Sequence, residues 1–199
     1  MAISKIKGNG STKRKDNLSK NSHFSPLTET FQPISKQKGN PLSEGDEFQD
    51  LFKKYSRQLK QSLDFDRASI ALLDKDNENV IIHGLDMEGT SEITVGTQLS
   101  MDSGSIGKVI KSGKVFFSGI LKPPREGNKL KEKSVKDILY KEGIRNYVVI
   151  PLYLGKIPVG TLNLGRKSSI LFTQKEIKLI YPHLYQLAMA LENIYPGTI

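Results

Sequence analysis

One stretch of the sequence, residues 146–193, joins two apolar strand patterns to a long amphipathic helical pattern. Residues 147–154 and 157–164 are rich in β-branched and aromatic side chains, and the two-residue Gly-Lys break between them is typical of a tight hairpin turn. After a polar link, Thr173 is followed three positions later by Glu176, which is the pattern of a capping box. The stretch therefore predicts an antiparallel hairpin that leads into a helix.

The predicted C-terminal helix carries more apolar surface than one sheet face would cover. Its seam residues recur at alternating spacings of three and four, and they are Ile177, Ile180, Leu184, Leu187, Leu191 and Ile194. This spacing is typical of a helix that pairs with another helix. Further apolar residues widen the surface, and they are Leu179, Tyr181, Tyr185 and Ala188.

Surplus apolar surface on a helix of this kind indicates an interface. We therefore expect a homodimer through the terminal helices, in a short bundle that is kinked at Pro182 because proline removes a helical hydrogen bond. The predicted dimer-interface residues are Leu184, Tyr185, Leu187 and Leu191. The alternative is a monomer in which the extra residues pack on the first helix.

Residues 1–45 have a composition unlike that of the rest of the chain. They carry eight Lys and Arg against three Asp and Glu, with many Ser, Asn, Gly and Pro. Such a segment buries too little apolar surface to offset the entropy of ordering, so we expect a disordered basic tail. Its charge, like the formal net charge of +9 for the chain, favours an anionic partner such as nucleic acid. The alternative is a solvated linker.

The region between the tail and the hairpin alternates helical and strand patterns. The helical patterns cover residues 46–63, 103–113 and 134–142, and the strand patterns cover Arg67–Leu73, residues 80–83 and residues 114–118. Residues 86–102 fit one irregular strand. Because tight turns join neighbouring strands, we expect an α+β fold built on an antiparallel sheet.

Several short motifs follow one another in the order and spacing of one protein family. They include Asp66-Arg67-Ala68-Ser69-Ile70, Gly104-Ser105-Ile106-Gly107, Glu142-Gly143-Ile144-Arg145-Asn146, Val149-Ile150-Pro151-Leu152 and Gly160-Thr161-Leu162-Asn163-Leu164. Together these motifs resemble those of the GAF domain, a small-molecule sensor module related in shape to PAS domains. The resemblance covers residues 47–193.

This resemblance implies an antiparallel sheet of five to six strands, with terminal helices on one face and short helices and loops on the other. The expected domain spans residues 46–195, and residues 196–199 form a C-terminal tail. The implied function is sensory or regulatory: the protein would bind a small molecule or a partner protein and signal through its terminal helices. The alternative is a non-enzymatic protein-interaction module with a filled pocket, whose basic tail contacts nucleic acid or another anionic partner.

Side chains alternate between the two faces of a strand, and here the alternation separates bulky residues from small and polar ones. Ile70 and Leu162 share the bulky face, which suits packing under the terminal helices. The other face leaves room and hydrogen-bonding groups for a ligand, and the resemblance places the family pocket on the side of the short helices. The predicted ligand-binding residues are Ser69, Ser105, Asp137, Tyr140, Thr161 and Asn163. The alternative fillers of that space are Val115, Phe117, Ile138 and Tyr140.

The chain contains no cysteine, and this absence limits its chemistry. It excludes the thiol-dependent methionine sulfoxide reduction of some GAF proteins, and it excludes a cysteine-linked bilin. No paired-histidine pattern predicts a metal site, so we expect a protein that is not an enzyme, with a cofactor that the sequence does not identify. No apolar run of membrane-spanning length and no secretory signal are present, so we expect a cytoplasmic protein without a transmembrane segment.

Overall fold

The computed structural model describes residues 44–74, 76–102, 104–124 and 134–194. The elements in these parts of the chain are α1 (Glu44–Leu59), β1 (Arg67–Leu73), β2 (Asn79–Met87), β3 (Gln98–Ser100), α2 (Gly104–Ser112), β4 (Phe116–Phe117), α3 (Val135–Lys141), β5 (Asn146–Leu154), β6 (Ile157–Arg166) and α4 (Gln174–Ile194). The predicted N-terminal tail, apart from its last two residues, and the predicted C-terminal tail at residues 196–199 lie outside the described residues. No helix in the described ranges is long and apolar enough to cross a membrane.

The six strands form one antiparallel sheet in the order β3-β2-β1-β6-β5-β4. The central strands β1, β6 and β5 are held in register, so that Ile70 and Ile150 both lie opposite Leu162. The β5–β6 hairpin turns at Gly155, whose φ of 60° lies in the region that glycine adopts without strain. The sheet confirms the predicted α+β fold and the predicted antiparallel sheet of five to six strands.

The terminal helices α1 and α4 cover one side of the sheet, here called the terminal-helix face. The largest apolar core joins alternate residues of β1, β5 and β6 to these two helices. Its fully buried side chains include Phe52, Ile70, Ile150, Leu162 and Ile177. Because burial of apolar side chains is the main stabilising term, this face anchors the fold. The predicted orientation of Ile70 and Leu162 toward the terminal helices is confirmed.

The short helices α2 and α3 pack on the other side of the sheet, here called the short-helix face. Two smaller apolar clusters lie there, one between β1, β2 and α2, and one between α2, α3 and β5. Ile138 and Tyr140 pack against these clusters, but Val115 and Phe117 pack against the core of the terminal-helix face. Two of the four residues that could fill a pocket under the short helices therefore lie on the wrong side of the sheet to do so.

The helix α4 begins at the capping box that the sequence predicts. The Thr173 hydroxyl accepts a hydrogen bond from the Glu176 backbone N–H (3.3 Å), and the Glu176 carboxylate accepts one from the Thr173 N–H (2.8 Å). The other carboxylate oxygen of Glu176 accepts a hydrogen bond from Arg166 Nη2 (2.7 Å). The Arg166 guanidinium also lies over the Phe172 ring, 4.0 Å from its centroid. These contacts join the end of β6 to the first turn of α4.

Three elements are shorter than their sequence patterns predict. The strand β2 extends to Met87, residues 88–102 contain only the three-residue β3, and residues 114–118 contain only the two-residue β4. Both are edge strands, which gain hydrogen bonds from one neighbour only. The first helix ends at Leu59 rather than at residue 63. The predicted cap Ser103 lies outside the described residues, whereas Gly113 follows the end of α2 with a φ of 66°, as a helix stop predicts.

Three of the four predicted interface residues of α4 lie in the core of the chain itself. Leu187 and Leu191 are 2% and 0% exposed, and Leu184 is also buried. They belong to the core that α4 shares with α1 and the sheet. Of the four, only Tyr185 is exposed, at 63%. This corrects the expected surface role of the seam, because a side chain already surrounded by its own chain has no area left for a second molecule.

Truncation of the central core residues tests the assignment of the terminal-helix face. Ile150→Ala and Leu162→Ala should each lower the free energy of unfolding by about 2–4 kcal/mol, because each removes buried methyl groups and leaves a cavity. Urea titration measures this loss. The matched control is Ile157→Ala at the exposed first residue of β6, which should change stability by less than about 0.5 kcal/mol. Equal effects at the three positions would contradict the assignment.

The contact between Arg166 and Glu176 should make the stability of the fold depend on acid pH. Burial acts to raise the pKa of Glu176, but hydrogen bonds from Arg166 and Thr173 outweigh it and hold the pKa below its ordinary value. A depressed pKa stabilises the folded state above the unfolded pKa of about 4.3, and this contribution disappears as the pH falls through the folded value. The difference in unfolding free energy between wild type and Glu176→Gln should therefore be full at neutral pH and shrink in acid. A difference that stays constant in urea titrations from neutral to acid pH would contradict this.

Candidate functional site

A chain of hydrogen bonds joins buried polar side chains on the short-helix face. The Thr161 hydroxyl donates to Asn163 Oδ1 (3.1 Å), and Asn163 Nδ2 donates to the backbone carbonyl of Ser69 (3.3 Å). The pairing of Ser69 with Asn163 across β1 and β6 brings these groups together. Since buried polar groups are costly without partners, the bonds hold the side chains in fixed orientations. The structure thus joins three of the six predicted ligand-binding residues.

The same chain of hydrogen bonds continues into a buried ion pair. Arg67 Nη1 donates to the Ser69 hydroxyl, and Arg67 Nε donates to Glu142 Oε2, and the donor–acceptor distance is 3.0 Å in both bonds. The two charged side chains are each 5% exposed. Burial lowers the pKa of the Arg67 guanidinium, and the neighbouring Glu142 carboxylate opposes that shift. Because Glu142 is the C-cap residue of α3, the ion pair ties the start of β1 to the end of this helix.

One nitrogen of this arginine is left without a partner. Arg67 Nη2 is buried and has no hydrogen-bond acceptor among the described residues. Nε and Nη2 lie along one edge of a guanidinium and match the two oxygens of a carboxylate. Glu142 offers only Oε2 to this edge, and its Oε1 accepts a hydrogen bond from the Ser91 hydroxyl. The edge therefore holds one unused donor.

A second buried arginine provides a comparison within the same fold. Arg166 donates from Nε to the Asp64 carbonyl (2.7 Å), from Nη1 to the Leu171 carbonyl (3.4 Å) and from Nη2 to Glu176 (2.7 Å). Each guanidinium nitrogen of Arg166 thus has an acceptor. Of these two buried arginines, Arg67 alone has a guanidinium nitrogen without an acceptor among the described residues.

A recess of about 280 Å³ opens beside the Arg67–Glu142 ion pair. Its lining residues are Thr90, Ser91, Glu92, Ile138, Lys141 and Glu142. Arg67 is not among them, but its ion-pair partner Glu142 and the Ser91 hydroxyl bonded to Glu142 are. A small molecule that enters the recess would meet Glu142 first and Arg67 behind it.

The other three predicted ligand-binding residues have separate partners. The Ser105 hydroxyl donates to the Tyr147 hydroxyl (3.3 Å). Burial raises the pKa of Tyr147, and this hydrogen bond offsets part of the rise. Asp137 completes the capping box at the N-terminus of α3. The Tyr140 ring lies under the Arg145 guanidinium, and its centroid is 4.4 Å from the Cζ atom of Arg145. Within the described residues, none of the three is hydrogen-bonded to the Thr161–Asn163–Ser69 chain.

A second concave surface lies on the other side of the sheet, beside α4. This groove has a volume of about 540 Å³, and its lining includes Lys114, Val115, Tyr153, Tyr181 and Tyr185. The Tyr153 hydroxyl donates to the Gly113 carbonyl (3.1 Å) and so fixes one wall of the groove. Exposed apolar residues continue along α4 from the groove, and they are Leu179, Tyr181, Tyr185 and Met189.

Sequence reasoning missed three members of the site, namely Arg67, Glu142 and Ser91. Strand alternation could have found the arginine, because residues 67 and 69 share a face. The carboxylate comes from 75 positions away, so no local spacing could have paired it with Arg67. No group of three metal-ligating side chains occurs in the described ranges.

Comparisons with known proteins agree with this architecture. The sequence model of the GAF domain family matches residues 47–191. This match spans most of the chain and the whole sheet, and the chain therefore belongs to the GAF domain family, whose members are mostly sensory and regulatory modules. A comparison with curated protein sequences finds no match.

Solved GAF domains share the fold at low sequence identity. The GAF domain of a two-component sensor histidine kinase from Bacillus halodurans is 22% identical, with a TM-score of 0.60 over 73% of this chain and 94% of that one. The GAF domain of an Acinetobacter phosphoenolpyruvate-protein phosphotransferase is 17% identical, with a TM-score of 0.54 over 78% and 86%. A type II free methionine-R-sulfoxide reductase from Thermoplasma acidophilum is 10% identical, with a TM-score of 0.56 over 76% and 97%. The same fold therefore occurs in both regulatory and enzymatic proteins.

Removal of one partner tests whether the ion pair supports the fold. Glu142→Ala should lower the free energy of unfolding by about 3–5 kcal/mol, because it leaves the buried Arg67 charge uncompensated. The double variant Arg67→Met/Glu142→Ala should recover part of this loss. The control Lys141→Ala, in the next position but exposed, should change stability by less than about 0.5 kcal/mol. Equal losses for Glu142→Ala and Lys141→Ala would contradict the structural role of the pair.

Proposed function

We propose that this protein is a sensory or regulatory module that binds a small molecule on the short-helix face and signals through its terminal helices. The observation that carries the proposal is the chain of buried polar side chains beside an open recess. A face that served only as core would hold apolar residues, since buried polar groups and charges add little net stability. The proposed ligand contacts are Ser69, Ser105, Asp137, Tyr140, Thr161 and Asn163, joined by Arg67, Ser91 and Glu142.

We also propose that the module is not an enzyme. The chain has no cysteine to serve as a thiol catalyst, and the described residues contain no cluster of metal-ligating side chains. The polar groups on the short-helix face are mutually hydrogen-bonded rather than arranged as a nucleophile beside a base. We also propose that the protein is cytoplasmic, a location that fits a regulatory module of this kind.

Chemical-shift mapping with a fragment library tests the ligand site. Fragments that bind should shift the amide signals of Ser69, Ser91 and Asn163 more strongly than those on the exposed side of α4. Thr161→Val keeps the shape of the side chain but removes a donor from the polar chain, so it should weaken these fragments. The control Tyr185→Glu, on the opposite side of the sheet, should leave their binding unchanged. Hits confined to α4 would contradict the proposed site.

A second function, protein interaction, is favoured by the tyrosine-lined groove beside α4. Tyrosine is enriched at protein interfaces, and three tyrosines line this groove. In this alternative the pocket is filled and the basic tail at residues 1–45 contacts nucleic acid or another anionic partner. Salt-sensitive retention of the full chain on DNA tests that role, with a chain that starts at residue 44 as the control.

The exposed side of α4 is also the proposed site of homodimerisation. Sedimentation at micromolar concentration should report a dimer, because Leu179, Tyr181 and Tyr185 together expose apolar area that a second copy would cover. Tyr185→Glu should convert it to a monomer of 22.2 kDa, since a charge would then be buried at the interface. The control is Ile170→Glu, an exposed position outside α4. Sedimentation of the wild-type chain as a monomer at this concentration would contradict the proposed dimer.

A further inference from the structure

We propose that the ligand of the short-helix face carries a small oxyanion, a carboxylate or a phosphate group, which replaces Glu142 on Arg67. This inference rests on the proposed ligand-binding function and adds the chemical class of the ligand and the way in which it acts. The recess beside the pair has a volume of about 280 Å³, just below the range of about 300–1,000 Å³ usual for ligand pockets, so it suits a ligand of few atoms.

The bonding of Arg67 is the reason to expect an oxyanion. Its Nε–Nη2 edge makes one hydrogen bond to Glu142 and leaves Nη2 buried without an acceptor. Glu142 meets only Nε of this edge, and its second oxygen accepts a hydrogen bond from the Ser91 hydroxyl. An incoming carboxylate or phosphate has two oxygens free and can accept from Nε and Nη2 together. The ligand would thus satisfy a donor that the protein itself leaves unsatisfied.

The balance of charge permits the exchange. Replacing one carboxylate by another anion keeps a negative charge against the buried guanidinium, so Arg67 is never left uncompensated. Glu142 lines the recess and can turn toward solvent from the end of α3. Lys141 lines the same recess, and the Lys167 side chain lies beside Gly143. The Glu92 carboxylate also lines the recess, so among the described residues Lys141 is the one lining cation available to the ligand, and Lys167 lies near the end of α3 for the released carboxylate.

The exchange would act on the protein by breaking the contact between β1 and α3. Glu142 links β1 through Arg67, the segment before β3 through Ser91, and the end of α3 through its own backbone. When its side chain leaves Arg67, β1 and α3 lose their common contact. The ligand-bound state should therefore show a looser last turn of α3.

The experiment uses acetate and inorganic phosphate as probes of the full chain. Each is titrated separately into ¹⁵N-labelled protein at constant ionic strength, with chloride as the reference anion. The measured signals are the Arg67 side-chain Nε–H resonance and the hydrogen exchange of the α3 backbone amides. We expect saturable shifts of the Arg67 signal and faster exchange at Leu139 and Tyr140 with at least one probe. The probe that binds more tightly identifies the oxyanion class.

Three variants make the test specific. Glu142→Gln should strengthen anion binding by about tenfold, because a neutral amide competes less well for Arg67. Arg67→Lys should weaken binding by at least about tenfold, because an ammonium lacks the two-donor edge. The control is Glu176→Gln beside Arg166, the buried arginine whose nitrogens all have acceptors, and it should leave anion affinity unchanged. Cooperative unfolding verifies that each variant is folded.

Clear outcomes would overturn the proposal. Saturable binding that is equal in wild type, Glu142→Gln and Arg67→Lys would place the anion elsewhere. No response of the Arg67 signal to either probe, in wild type and in Glu142→Gln, would exclude the exchange. A neutral fragment that binds at Ser69 and Asn163 when neither anion binds would leave the ligand function standing and exclude only the anion exchange.

Discussion

The alternation of side chains along β1, β6 and β5 is the constraint on which the rest of the structure depends. One register places Ile70, Leu162 and Ile150 in a row under the terminal helices, and it places Ser69 beside Asn163 on the other side. Because the period of a strand is two residues, a slip of one position would exchange the two rows. The apolar core and the polar site are therefore set by the same backbone pairing, and neither can change register without the other.

The parts of the fold with a local signal could be predicted from the sequence. Strand alternation gave the two faces, and the short spacing from Thr173 to Glu176 gave the start of α4. The ion pair had no such signal, because its partners are 75 positions apart and meet only in three dimensions. The seam of α4 was ambiguous for another reason: its spacing indicates a helical partner but does not say whether that partner is α1 or a second chain. Burial of Leu187 and Leu191 assigns it to the chain's own core.

The two buried arginines divide the chemistry of this GAF domain. Arg166 is fully hydrogen-bonded and lies over Phe172, so its role is structural. Arg67 has a comparable degree of burial but an incomplete set of acceptors. An unsatisfied buried donor costs about 1–3 kcal/mol, which the neighbouring apolar core offsets. Completeness of hydrogen bonding, rather than burial or charge, thus distinguishes Arg166 from Arg67.

The position of the two arginines in the sheet has a mechanical consequence. Arg67 in β1 lies directly opposite Gly165 in β6, and Arg166 is the next residue, so the two side chains leave adjacent points of the sheet toward different surroundings. One reaches Glu142 at the end of α3, and the other reaches Glu176 at the beginning of α4. The peptide unit between Gly165 and Arg166 in β6 therefore connects the contacts on the two sides of the sheet. A small tilt of β1 against β6 at this point would first change the contact between Arg166 and Glu176 at the beginning of α4.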